Sequence, residues 1–360
     1  MRIIHHILLS TLLLICTVSC EREVAPLYEP NEEKMISFST AEDVWPVITK
    51  AAISGIEDLY GDGFRVWGNW TDVADNTGNI NSIFGQNGVV VSATDKDNDS
   101  DFEPGVAGST DSWEYEDKKG WNVGYHSFAA VLPSSANISG TMSSTYSKTI
   151  EEGEQKLTYE NTLTLDLSSG LDLSANQTDL MYAFQNVDNS DFDASVVELD
   201  FRHLFSTIDI RLNTTGMPFS AQQIAVTKVE LYGIHKSLKG ELRIKHESIY
   251  DDENNKTSEA LTTNIADCFD NSKISDADNP YYARQYTAGE GFQYNALSIT
   301  VIDDLLVFPE TFSKDLSLTI VIDLFQQGKT RQISAKISSG EWLTAKSYTC
   351  LLQVDPSIFN

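Results

Sequence analysis

The 360-residue chain carries 53 acidic against 25 basic residues, a formal net charge of −28. Such an excess repels phosphate backbones and anionic headgroups, which excludes nucleic-acid binding and suits a soluble extracellular protein. Hydrophobic residues make up 41% of the chain, enough for real cores, and the length points to about two domains.

Residues 1–20 read as a targeting segment. Met1 and Arg2 give a short basic start, residues 7–15 an apolar core too short for a permanent membrane span, and Thr17-Val18-Ser19-Cys20 a small-residue site ending in cysteine. Cys20 so placed reads as the lipidated residue of a bacterial lipoprotein; an ordinary cleaved secretory signal with an incidental cysteine is the other reading. Residues 21–50 follow as a tether with one short alternating strand, residues 35–39, ahead of Pro46 and Lys50-Ala51.

Residues 64–70 alternate as a strand. Residues 82–94 carry Gln86-Asn87-Gly88 between two apolar runs, a hairpin signal. Residues 113–121 read as a second hairpin, followed by a strand over 125–132 that Pro133 stops, and residues 163–167 supply another. A short apolar run, 180–184, leads into a polar insert at 186–195 with the composition of a connection. Val197, Leu199 and Phe201 then alternate with charged residues, and after a break at 203–206 the alternation resumes in Ile208, Ile210 and Leu212. This stretch is the expected boundary between two β-domains, residues 51–190 and 191–360. Beyond it, strands are expected over 226–232, 240–245, 296–302, 316–325, 331–337 and 348–354, with Gln326-Gln327-Gly328-Lys329 as a hairpin turn and loops at 251–264 and 280–291. No stretch shows a helical period of useful length, so the fold class is all-β, with a sandwich or barrel in each half.

The order and spacing of these segments resemble the fimbrillin family, the subunits of type V pili in Bacteroidales. The resemblance is carried by Asp179, Leu180, Tyr182 and Ala183, then Val197, Leu199, Phe201, His203, Ser206, Ile208, Ile210 and Leu212, and downstream by residues 229–233, 306–310 and 342–348. Acidic Glu21 and Glu23 after Cys20 resemble the surface-export signal of Bacteroidales lipoproteins. The resemblance implies two tandem transthyretin-like β-sandwiches and attachment to the outer membrane, facing outward. It implies assembly with other pilus subunits by strand addition, switched on by a cut after a basic residue; Lys50-Ala51 stands at the matching place. The expected donor strand is the last one, with Tyr348, Cys350 and Leu352 on its inserting face. The competing reading is a monomeric surface lipoprotein that binds glycan or host protein.

Signals for catalysis are thin: the sequence has no HExxH, GxSxG, P-loop or CxxC pattern. No enzyme activity and no cofactor is expected. His126, His203, His235 and His246 lack metal-ligand clustering and read as structural side chains. Asp95, Asp97, Asp99 and Asp101 alternate in a tight loop as calcium ligands do, but Ser100 replaces the turn glycine and Val106 the closing glutamate of an EF-hand, so calcium and a solvated acidic loop both stand. Trp67, Trp70, Trp113 and Trp121 read either as core residues or as a sugar-stacking platform. After Cys20 only Cys268 and Cys350 remain, either bridged or separately buried.

Overall fold

The structure, a computed structural model, describes residues 35–40, 63–74, 78–96, 111–136, 138–151, 154–194, 196–213, 225–286, 298–326 and 328–354. Its strands in chain order are β1 (Ser37–Thr40), β2 (Phe64–Thr71), β3 (Asn81–Ser82), β4 (Val89–Thr94), β5 (Ser112–Glu114), β6 (Gly124–Leu132), β7 (Ser139–Glu151), β8 (Glu154–Asp166), β9 (Leu171–Asp172) and β10 (Met181–Asn189). There follow β11 (Val196–Leu199), β12 (Arg202–His203), β13 (Ser206–Asn213), β14 (Ala225–Tyr232), β15 (Ser237–Leu238), β16 (Glu241–Tyr250), β17 (Lys256–Thr263), β18 (Tyr282–Gln285), β19 (Ser298–Val307), β20 (Thr311–Phe312), β21 (Leu318–Gln326), β22 (Lys329–Ile337), β23 (Gly340–Glu341) and β24 (Ser347–Gln353). Among the described residues three short 3-10 turns accompany them, and the molecule is all-β.

The first large sheet runs β12-β10-β6-β2-β4-β5, with β3 on β2. Its central strands are covered on both faces, which explains why β6 reads as the unbroken apolar run Phe128-Ala129-Ala130-Val131-Leu132. Even-numbered residues (Phe64, Val66, Phe128, Ala130, Leu132) enter a core shared with β1 and β11. Odd-numbered ones (Trp67, Ala129, Val131) enter the main core with Leu163 and Leu165 of β8. That second face is covered by the sheet β17-β16-β8-β7, in which β8 pairs residue for residue with β16 from Leu157–Tyr250 to Asp166–Glu241. Two long hairpins far apart in sequence thus form one sheet. Downstream, β19-β13-β24 and β18-β14-β21-β22 form two further sheets whose inward residues, such as Ile208, Ile210, Val229 and Ile322, join the same main core.

Several expectations are corrected. Residues 82–94 do not fold as a hairpin: β3 and β4 both lie antiparallel on β2, at Asn69–Ser82 and at Val66–Val89. The segment between is a loop folded over Trp67, whose Nε1–H donates to Gln86 O at 3.2 Å. Gly88 holds its exit with φ +64, where a Cβ would sit 2.4 Å from the Val66 carbonyl oxygen. The second expected hairpin, residues 113–121, does not form either: β5 pairs with β4, while the strand expected after it is β6, between β2 and β10. The polar insert at 186–195 is strand as far as Asn189, and residues 256–263 of the expected loop form β17, an exposed edge strand.

Candidate functional site

Ile36, Phe38 and Thr40 alternate with serines, so a strand here turns three side chains to one side. All three are buried, at 1%, 5% and 7% exposure. The Phe38 ring meets Phe64, Phe84, Tyr115 and Phe128 at centroid distances of 6.2, 6.1, 5.7 and 6.0 Å. The backbone is held on both sides. On one, β1 runs parallel to β11 from Ser37–Val196 to Thr40–Leu199. On the other, Ile36 N–H donates to Lys119 O at 2.8 Å, and Met35 bridges Gly120.

Tyr115 fastens this end: its hydroxyl donates to Ile36 O at 2.9 Å and accepts the Lys119 N–H at 3.1 Å. Burial raises the phenol above its ordinary 10.0, so it keeps the proton it donates. A four-residue strand thereby completes a core built by residues 64–201. Without it, the core would be an open apolar trough flanked by unpaired main chain.

Of the other sequence-derived candidates, Cys20, Lys50, Ala51, Asp97, Asp99 and Asp101 lie outside the described residues, and Asp95 is exposed just after β4. Tyr348, Cys350 and Leu352 are half-buried on one side of β24, paired in parallel with Ile208, Ile210 and Leu212 of β13. β24 is an edge strand. Cys268 and Cys350 are free thiols, both raised by burial. Trp67, Trp113 and Trp121 are buried and Trp70 is half-buried, so three of the four rings belong to cores, not to a sugar platform.

All four histidines are buried. His203 Nδ1 lies 2.6 Å from Asp179 Oδ2. His246 bonds Glu259 at 3.0 Å; despite desolvation, this contact and Arg202 hold the Glu259 carboxyl down to about 2. His235 faces Glu310 at 3.4 Å. Burial opposes charging of that imidazole, yet the Glu310 carboxylate raises it, while burial raises Glu310 itself. The sequence reading missed one grouping, the carboxylates of Asp209, Asp303 and Asp304. It arises where β19 bulges, two residues opposite Asp209. Asp209 accepts the Asp304 N–H at 3.0 Å through one oxygen, which ties the bulge to β13, and pairs with Arg211 at 2.9 Å through the other. The available signal was Asp303-Asp304 interrupting an apolar strand.

The family model described as fimbrillin-like matches residues 74–359. Among solved structures, a fimbrial protein from Bacteroides vulgatus is similar over 89% of this chain and 95% of its own, at 16% identity and a TM-score of 0.48. A candidate cell adhesion protein from Bacteroides fragilis is similar over 89% of each chain, at 12% identity and a TM-score of 0.35. A candidate polysaccharide-binding protein from Bacteroides thetaiotaomicron is similar over 91% of this chain and 93% of its own, at 10% identity and a TM-score of 0.30. No curated protein matches the chain. Because the family match takes in most of the chain, including every strand after β2, this protein belongs to the fimbrillin-like family.

Proposed function

We propose that this chain is a structural subunit of a cell-surface fimbria, exported as a lipoprotein through Cys20 and assembled with other pilus subunits by strand addition, contributing to adhesion. The observation that carries the proposal is the seating of β1: Ile36, Phe38 and Thr40 fill a core whose other strands all follow residue 63. A cut at Lys50-Ala51 separates residues 21–50 from the rest, and with them go both β1 and the lipid-bearing end. The vacated trough then takes an extended strand from a neighbouring subunit, main-chain bonds giving affinity and alternate side chains giving specificity. The chain's own outgoing strand is β24, on an edge and only half-buried on its inner side. Such an assembly places the protein on the outer surface of the outer membrane.

Limited trypsin digestion tests this. The expected result is a stable fragment beginning at Ala51 that sheds residues 21–50 and then associates with partner subunits. An uncut Lys50, or a fragment from Ala51 that keeps β1 and remains monomeric beside candidate partners, would overturn the reading.

A further inference from the structure

A slot that takes a strand selects it by the side chains it can seat, and the slot under β1 has a definite shape. Its first position holds a large aliphatic residue, Ile36, almost without exposure. Four aromatic rings surround the second, Phe38. The third holds the small Thr40 beside Leu199. The bonds from Lys119, Tyr115 and β11 reach only the backbone, so they hold any extended chain and choose none. Resting on the strand-addition reading, we propose that this slot takes a strand of the form aliphatic-x-aromatic-x-small from a subunit of different sequence, and refuses β24 of a second copy.

Each register of β24 fails in a nameable way. Seating Tyr348 in the ring-lined position puts Lys346 where Ile36 sits, a charge at a buried apolar site. Seating Cys350 there leaves a ring-sized void. Seating Leu352 puts Cys350 in place of Ile36, so the first two positions are both underfilled. The opposite face, centred on Leu351, buries Thr349 and Gln353. Reversing the strand offers Val354, Leu352 and Cys350, which lacks the ring, or Cys350, Tyr348 and Lys346, which underfills the first position and puts a charge in the third; both orders give up the parallel ladder to β11. The chain therefore receives its donor from one kind of subunit and offers β24 to another, which makes it a member of a mixed polymer.

The test uses the full mature chain with a specific protease site inserted between Lys50 and Ala51, cut so that residues 21–50 stay in place non-covalently. Labelled peptides then compete for the slot: residues 33–42, the same peptide with Phe38→Ala, residues 345–354, and residues 345–354 with Cys350→Ile and Leu352→Phe together. The native peptide should enter. The Phe38→Ala and β24 peptides should be at least ~100-fold weaker, the ratio a ring-sized void implies, and the Cys350→Ile, Leu352→Phe peptide should recover uptake; its failure to do so overturns the proposed pattern. A β24 peptide within tenfold of the native one overturns the selectivity and leaves strand addition standing. Exclusion of the native peptide as well overturns strand addition, and the selectivity with it.

Discussion

His126 shows what a single polar residue costs inside this fold. It has no exposed surface, and its ring lies 5.0 Å from Trp121 and 6.3 Å from both Trp70 and Phe128. A carbonyl can only accept, so the 3.2 Å contact with Gly124 O puts the proton on Nδ1, and Nε2 is left buried without a partner. Burial pushes the pKa from 6.5 to about 4. Since the folded value lies below the unfolded one, the group's contribution is whole above 6.5 and is lost as the pH falls through about 4. The difference is worth about 3 kcal/mol at most. Urea denaturation of the wild type and His126→Phe, each near about pH 7 and about pH 4, should show the variant losing less stability on acidification. An identical loss in the two proteins would show that His126 is not the group titrating.

At the scale of elements, the instructive strands are those with polar residues turned inward. Asn69, Ser127 and Asn186 of the first sheet meet Ser144, Asn161 and Ser248 of the β17-β16-β8-β7 sheet. Asn186 is the hub: its oxygen accepts from Ser127 at 2.7 Å and Asn161 at 2.9 Å, and its nitrogen donates to Ser248 at 2.8 Å. Asn186→Ala should cost about 1–3 kcal/mol, because three buried partners lose their bonds together. A shift in the urea midpoint at constant slope checks it, and an unchanged midpoint would mean that water replaces the side chain. The same residues mark the limit of what periodicity reveals. Apolar alternation located β11, β13, β14, β21 and β24 to within two residues of each end, because each has one face in a core and the other outside it. It could not find β7, whose Thr141, Ser143 and Thr145 face solvent while Ser144 faces the polar seam, nor the end of β10 beyond Asn186. β1 was visible as a strand, but its role depends on rings from residues 64–128, which no local pattern connects to it.

At the scale of the whole molecule, the pairing of β8 with β16 decides how the chain should unfold. β7 and β8 belong to the first half of the sequence and β16 and β17 to the second, yet they share one sheet and bury Leu163, Leu165, Leu242 and Ile244 in one core. Gln177 adds a second tie, accepting the Leu306 N–H of β19 at 2.7 Å. Neither half can open without exposing the other's apolar surface, so unfolding should be a single cooperative step. Five of the six tryptophans precede residue 190 and Trp342 alone follows it, which gives each half its own reporter. In a Trp342→Phe variant, tryptophan fluorescence follows only the first half, while circular dichroism follows every strand. The two signals should share one urea midpoint. By the same argument, residues 51–190 expressed alone should aggregate or stay unfolded, since β8 would present a bare edge and an uncovered apolar face. Separate midpoints, or a soluble and folded 51–190 fragment, would mean that the shared sheet is a docking contact between independent units instead of the tie that makes them one.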